Sequence, residues 1–196
     1  YLSDTISYIG YNYVASKGKE QLLDMLDVLR IERNVVKQNQ PNSGGAQYIV
    51  KNTTPAFWYK VYEDCAKLYN VMNSWETRYK EKPPLDYIGT NYHPIQKWCA
   101  EMWSTLWNAW QFGHQTIVHK DLDFVFATDT LTRANQVKIL HNAGVTERDS
   151  GRLFFKGQYI NRNPFAEPNF AWVDVNSASR KYVDAIELAK QARIGG

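Results

Sequence analysis

A histidine at the end of a short apolar run has the type and the setting to bind a metal ion. His141 ends the run in the segment ILHNAGV, and Gly144 follows three residues later. In α/β folds, ligands gather where strands end, and a glycine lets a ligand approach the backbone closely. An imidazole whose second nitrogen is oriented by a partner is a good ligand for divalent ions. His141 is therefore a candidate metal ligand. The alternative is a histidine that caps a loop through hydrogen bonds.

A lysine lies 15 residues after that histidine, in the segment FFKGQYINRNPF. Lys156 stands beside Gly157, so its ammonium could meet a phosphate as a point charge while backbone NH groups add hydrogen bonds. The spacing allows Lys156 and His141 to line one pocket. The alternative is a solvated lysine in a turn.

Paired glycines near the middle of the first half suggest a second place where a ligand could approach the backbone. They occur in the segment SGGAQ, where Gly44 and Gly45 precede Gln47. The Gln47 amide can both donate to and accept from hydroxyl groups. The alternative is a flexible turn before a strand.

A tryptophan-rich segment, IQKWCAEMWSTLWNAWQF, is expected to form a helix that begins at Pro94. Its tryptophans fan across about half of the helix circumference at about 100° per residue, and Glu101 shares the opposite face with Lys97. One interpretation is a core helix whose polar face carries a Lys97–Glu101 pair at i, i+4. The other has Glu101 facing a cleft as a base or as an acceptor for sugar hydroxyls, with Trp103 as a rim tryptophan for stacking.

Two carboxylates at i and i+2, Asp121 and Asp123, could clamp a divalent cation. The alternative is that they are polar positions opposite the apolar face of a strand at 122–127.

The elements that position these residues are predicted from periodicity and from turn and cap residues. The first half is predicted to contain a strand at 5–14, a helix with Ser16 as its N-cap, and a strand at 46–51. A helix follows, with Thr54 as its N-cap and Pro55 as its first residue, and it runs to about residue 75. After a loop at 80–94 come the helix from Pro94, strands at 122–127 and 137–140, and a helix at about 178–193. Interleaved strands and helices indicate an α/β or an α+β fold and not a bundle or a sandwich. We expect α/β, with a mixed sheet and flanking helices, in a single domain over residues 1–196.

Composition limits the partners that we expect. The net charge of +3 over 196 residues gives no case for a nucleic-acid partner. No apolar run approaches the roughly 20 residues of a membrane helix, so no membrane segment is expected. Two cysteines outside any metal motif mildly favour a reducing, cytoplasmic setting. The sequence also lacks GxGxxG, Walker A, HExxH, GxSxG and CxxC motifs.

The order of the segments resembles the acceptor-side half of GT-A-fold glycosyltransferases over about residues 1–170. SGGAQYIVK with the TPAFWYKVYEDC helix is similar to the Gly-rich acceptor segment and the helix after it, and IQKWCAEMW to the acidic helix. ILHNAGV and FFKGQYINRNPF are similar to the late metal-binding histidine and the lysine segment that contacts the diphosphate. The resemblance implies a GT-A-like fold, Mn²⁺ or Mg²⁺, a nucleotide-sugar donor, and transfer of a sugar to an acceptor hydroxyl.

The resemblance also implies roles for single residues. His141 would hold the metal, Lys156 would stabilise charge on the leaving diphosphate, and Glu101 would be the base if the enzyme is inverting. The remaining donor- or acceptor-binding residues would be Gly44, Gly45, Gln47, Trp103, Asn142 and Gly144. Because the Asp121–Asp123 pair lies only 20 residues before His141, we expect the family's DxD, and the nucleotide-binding half, to precede Tyr1. The alternatives are a non-catalytic carbohydrate-binding or structural module, and a nucleic-acid-interacting domain whose aromatic surface stacks on bases.

Overall fold

The computed structural model of the chain describes residues 1–82 and 93–194. The chain divides into two compact units, unit 1 (Tyr1–Lys120) and unit 2 (Asp121–Gly196). Its class is mixed α/β, as the sequence predicts, but the described residues form two small sheets of two strands each instead of one mixed sheet. Most of the loop predicted at 80–94 lies outside the described residues. Within the described ranges, no helix is both long enough and apolar enough to cross a membrane.

Unit 1 is mainly helical. Its elements are β1 (Leu2–Asp4), α1 (Ile6–Ile9), α2 (Tyr11–Ser16), α3 (Lys19–Leu29), α4 (Arg33–Gln38), β2 (Gly44–Tyr48), α5 (Pro55–Glu81) and α6 (Ala100–Gln111). Strand β1 pairs antiparallel with β2, with an irregular register between Leu2 and Asp4. A 3₁₀ turn at Lys97–Cys99 leads into α6.

Helix α5 begins where the sequence predicts. The Thr54 side chain accepts a hydrogen bond from the backbone NH of Phe57, and Pro55 is the first helical residue. An N-cap of this kind satisfies one of the free NH groups at a helix start, and proline loses nothing there because its missing NH would have had no partner. The helix continues to Glu81, which is longer than predicted.

The core of unit 1 lies where α3, α5 and α6 pack together, and it includes Leu22, Met25, Leu68, Met72, Trp103, Leu106 and Trp107. A buried polar network also joins α5 to α6. The fully buried Asp64 carboxylate accepts hydrogen bonds from Lys60, Lys67 and Asn108. Burial opposes ionisation, but these donors hold the pKa of Asp64 below its usual value.

The strand predicted at 5–14 is wrong. The segment forms α1 and α2, and it buries Ile9, Tyr11 and Val14 in the core of unit 1. Its β-branched and aromatic residues favour strands only where a sheet offers neighbours to pack against. Ser16 ends α2 instead of capping the next helix, and α3 begins after Gly18. Gly18 has φ +136°, and a Cβ there would lie 2.3 Å from the hydroxyl oxygen of Tyr79.

Unit 2 has less regular structure. Its elements are β3 (Phe124–Phe126), α7 (Leu131–Ala134), β4 (Ile139–His141) and α8 (Ser179–Ile194), with 3₁₀ turns between β4 and α8. The strands predicted at 122–127 and 137–140 and the final helix are confirmed with shifted bounds. Strand β3 pairs in parallel with β4, which places Phe126 opposite His141. Small separate clusters form the core, one around Phe154, Phe170 and Val183 and another around Val125, Ala134 and Ala178.

Candidate functional site

The residues singled out in the sequence fall in two places, the end of β4 in unit 2 and the start of α6 in unit 1. His141 is the last residue of β4. Its imidazole lies 5.5 Å from the ring of Phe124 and 5.7 Å from that of Phe126, measured between ring centroids. Because side chains alternate along a strand, Leu140 faces the opposite side, against the Val125 cluster. The sheet therefore presents His141 on an aromatic face.

The structure places Lys156 within electrostatic range of His141. Burial lowers the pKa of His141, and the charge of Lys156 lowers it further. Lys156 begins the 3₁₀ turn Lys156–Tyr159. The ammonium of Lys156 makes the surroundings of this half-buried imidazole positive, and that arrangement suits an anion.

Two neighbours of His141 complete a group that we call the strand-end cluster: His141, Asn142, Gly144 and Lys156. The Asn142 side-chain nitrogen is buried, and no hydrogen-bond acceptor for it lies among the described residues. Gly144 has φ +84°, a conformation that favours glycine, and a Cβ there would lie 3.3 Å from the Thr128 hydroxyl oxygen. Gly144 thus serves the turn after β4, while Asn142 has a buried donor with no partner among the described residues.

The strand-end cluster does not by itself form a metal centre. In the described part of the chain, no group of three or more His, Cys, Asp or Glu side chains is placed to hold a metal ion. Asp121 pairs with Lys138 and Asp123 with Arg133, so both carboxylates of the only DxD motif have cationic partners. The described residues offer a metal one imidazole and not a complete set of ligands.

The Gly44–Gly45 pair lies in β2 instead of in a turn, and both residues are buried. A Cβ on Gly44 would lie 2.2 Å from the carbonyl oxygen of Ser3, and one on Gly45 would lie 2.5 Å from the hydroxyl oxygen of Tyr48. These glycines therefore allow close packing within unit 1, and they do not present backbone to a ligand. Gln47, in the same strand, donates its backbone NH to the hydroxyl of Ser3.

Glu101 lies in a groove between α5 and the start of α6. This aromatic groove has a volume of about 470 Å³ and is lined by Tyr62, Cys65, Ala66, Tyr69, Asn70, Lys97, Trp98, Ala100 and Glu101. The expected Lys97–Glu101 pair does not form. Lys97 lies in the 3₁₀ turn before α6, outside the continuous helix that an i, i+4 pair requires, and it pairs with Glu76 at 2.8 Å. Glu101 makes no ion pair with any described residue.

The negative charge of Glu101 affects the groups around it. Burial raises the pKa of Cys99 to about 11, and Glu101 contributes to the rise. The pKa values of Cys65 and Tyr48 are also raised, by burial first and by Glu101 second. Tyr48 belongs to β2, so the structure places Glu101 in electrostatic range of the strand that contains Gly44, Gly45 and Gln47.

Trp103 is not at the rim of a cleft. It is fully buried, its indole NH donates to the carbonyl oxygen of Ile9 at 2.9 Å, and its ring stacks near Tyr13. It has no exposed face on which a sugar could stack. The exposed tryptophan of the groove is Trp98, which lies in the 3₁₀ turn before α6.

Trp98, Tyr62 and Tyr69 were not expected at the surface, because aromatic residues at helical spacing are typical of an apolar helical face. Strict use of the 3.6-residue helical repeat would have placed Tyr62 and Tyr69 outside the buried face of α5. Positions 57, 61, 64, 68, 72 and 75 are the buried ones in α5, so the tyrosines lie outside that stripe.

Comparison with known proteins adds no relative. No protein-family model matches this chain, no curated protein is significantly similar to it, and no solved structure matches it.

Proposed function

We propose that this chain is the acceptor-side part of a GT-A-like glycosyltransferase, which transfers a sugar from a nucleotide-sugar donor to an acceptor hydroxyl. The observation that supports the proposal is that the charge of Lys156 lowers the pKa of His141, the residue that ends a strand of the parallel pair. The family resemblance assigns the metal to His141 and the diphosphate to Lys156, which lies 15 positions later in the chain.

The chemistry proposed for unit 2 is stabilisation of a leaving diphosphate. Negative charge grows on that group as the bond to the sugar breaks, and a fixed ammonium such as Lys156 offsets it. The buried Asn142 amide donates a hydrogen bond to a phosphate oxygen. His141 is the ligand that we propose for Mn²⁺ or Mg²⁺, with the other ligands supplied from outside the described residues.

The chemistry proposed for unit 1 is recognition of the acceptor. The Glu101 carboxylate accepts a hydrogen bond from an acceptor hydroxyl, and in an inverting enzyme it would take the proton of that hydroxyl. A carboxylate that makes no ion pair within the described part of the chain keeps its accepting oxygens available for this role.

Calorimetric titration with UDP and with UDP-glucose, each with and without Mn²⁺, tests the proposal. The native chain should bind UDP in a Mn²⁺-dependent way. His141→Ala should abolish the dependence on metal, and Lys156→Ala should weaken binding at least tenfold, because the diphosphate loses its cationic partner.

Matched controls are His93→Ala and Lys181→Ala, which remove exposed side chains of the same types outside the strand-end cluster. Both should bind UDP like the native chain. Absence of UDP and UDP-glucose binding by the native chain, or binding that the His141 and Lys156 variants leave unchanged, would contradict the proposal.

A second candidate function, a non-catalytic carbohydrate-binding module, is favoured by the aromatic groove. Exposed aromatic rings beside polar side chains can bind sugars without any catalytic group. This function predicts binding of oligosaccharides by the native chain that depends neither on nucleotide nor on Mn²⁺, measured by the same calorimetry.

A further inference from the structure

We infer that the aromatic groove of unit 1 is a binding subsite for a neutral sugar chain, whose pyranose rings stack on Tyr62, Tyr69 and Trp98. This inference rests on the proposed function and names the class of acceptor. It adds binding residues that the family resemblance does not assign.

The first observation is the exposure of these rings. Tyr62 is 77% exposed, Trp98 68% and Tyr69 43%, in a unit that fully buries Trp103 and Trp107. Neighbouring exposed aromatic side chains are uncommon on a protein that works alone, and they mark surfaces that contact a partner or a ligand.

The second observation is how the rings are arranged. Tyr62 and Tyr69 lie seven residues, or roughly 10 Å, apart on one side of α5, and Ala66 lies between them. The small alanine side chain leaves room between the two rings. Trp98 lines the same groove from the turn before α6. The groove therefore presents separated aromatic faces along its length, which suits a chain of flat-sided rings.

The third observation is that one of the rings is held in place. The Lys97 ammonium lies 5.6 Å from the ring centroid of Tyr69. The same ammonium pairs with Glu76 at 2.8 Å and donates to the side-chain oxygen of Asn73 at 2.7 Å. Lys97 thus packs against Tyr69 while anchored to α5, so the stacking surface is preorganised and less ordering is needed on binding.

Charge and polarity identify the ligand as neutral and rich in hydroxyls. The cation of the groove, Lys97, is already neutralised by Glu76, while Glu101 makes no ion pair within the described ranges. An anionic ligand would be repelled. A neutral sugar can donate hydroxyl hydrogen bonds to Glu101 and exchange others with the amide of Asn70. The groove volume of about 470 Å³ lies within the range usual for small-ligand sites.

Calorimetric titration of the full chain with neutral hexasaccharides, namely maltohexaose, cellohexaose, xylohexaose and mannohexaose, tests the inference. At least one should bind the native chain. Trp98→Ala and Tyr62→Ala should each weaken binding at least tenfold, because each removes a stacking surface. Glu101→Gln keeps the shape of the side chain and should weaken binding severalfold, because the charged acceptor is lost.

The matched control is Tyr59→Ala, which removes another highly exposed tyrosine of α5 that does not line the groove. It should bind sugars like the native chain. Circular dichroism of every variant establishes that loss of binding does not come from loss of folding.

The same variants are titrated with UDP, so that the two proposals fail separately. Sugar binding that Trp98→Ala abolishes while UDP binding persists supports both. Sugar binding by a native chain that does not bind UDP supports the groove and overturns the glycosyltransferase proposal. The inference that the groove binds sugars is overturned if the native chain binds no sugar, or if Trp98→Ala and Tyr62→Ala both leave sugar binding unchanged.

Discussion

The two units are stabilised in different ways. Unit 1 holds long helices together through a broad apolar core and through the buried Asp64 network between α5 and α6. Unit 2 has small separate clusters, and many of its turns are held by side chains that accept from backbone NH groups close by in sequence. Asn163, Asn169 and Asp174 each accept from the NH two residues further on.

This difference indicates how each unit positions its candidate residues. The aromatic groove is formed by helices whose opposite faces belong to the core, so its geometry depends on residues distant in sequence. The strand-end cluster follows a three-residue strand and a short turn, so its geometry depends mainly on local hydrogen bonds. Local stability differs across a protein in just this way, and functional segments are often at the less stable end.

The largest effect is expected from Asp64→Ala in unit 1. The substitution removes the acceptor that joins both lysines to Asn108, and it should lower the free energy of unfolding by about 3 kcal/mol. The measurement is urea-induced unfolding. The unit 2 counterpart is Asp184→Ala, which breaks an exposed ion pair with Arg180 and should cost about 0.5 kcal/mol or less. An equal loss of unfolding free energy in Asp64→Ala and Asp184→Ala would contradict the proposed difference in how the two units are stabilised.

The effect of Asp64 should depend on pH. Its pKa is lower in the folded chain than the ordinary 3.8, so its contribution is fully present above pH 3.8 and is lost as the pH falls through the folded pKa. The free-energy gap between the native chain and Asp64→Ala should therefore narrow below about pH 4. A gap that stays constant down to pH 2 would contradict the buried network.

The next effect is a gain in stability from Gln21→Met. Gln21 is fully buried in α3, and neither its side-chain nitrogen nor its oxygen has a partner among the described residues. A volume-conserving apolar replacement should raise the free energy of unfolding by about 1–2 kcal/mol. The contrasting case in unit 2 is Ser179→Ala, which removes a buried hydroxyl that accepts from the NH of Phe154 and should be destabilising. A loss of stability in Gln21→Met would show that the Gln21 side-chain amide makes hydrogen bonds in the folded chain.

Capping should have the same effect in both units. Thr54 caps the 27-residue α5, and Thr130 caps the four-residue α7. A cap acts on one local NH group, so Thr54→Ala and Thr130→Ala should each cost about 1 kcal/mol, while Thr→Ser at either site should restore most of it. Chemical denaturation measures both. A much larger cost at Thr130 would mean that α7 depends on its cap for existence.

The smallest effect concerns the protonation of His141. Its pKa should lie below the ordinary 6.5, since burial and Lys156 both oppose the imidazolium. Lys156→Ala should raise that pKa, and Lys181→Ala should leave it unchanged, in an NMR titration of the imidazole signal. Unfolding releases a histidine that takes up a proton more readily, so stability should fall as the pH drops below about 6.5. An unchanged His141 pKa in Lys156→Ala would contradict the electrostatic influence of Lys156 on His141.

Local signals were the ones that sequence analysis interpreted correctly. Thr54 and Pro55 mark the start of α5 because a cap and a first-turn proline act within a few residues. The strand at 124–126 follows from alternation.

Long-range packing defeated the other predictions. The segment 5–14 is helical because unit 1 offers it helices to pack against and not a wide sheet. Gly44 and Gly45 in β2 are needed because Ser3 and Tyr48 lie too close to their Cα atoms for a side chain to fit. No local sequence pattern reveals these contacts. Trp103 is buried, although one interpretation placed it at the rim of a cleft, and Trp98 is exposed. At about 100° per residue, Trp98 lies opposite the buried face of α6.

The exposure of Trp98 has a spectroscopic consequence. It has the largest exposed fraction of the tryptophans in the chain, whereas Trp75, Trp103, Trp107 and Trp110 are buried. Collisional quenchers such as acrylamide should therefore extinguish its emission before that of the buried indoles. Unit 1 thus carries an intrinsic optical reporter inside its own groove, and occupancy of that groove can be followed by light without attaching a label.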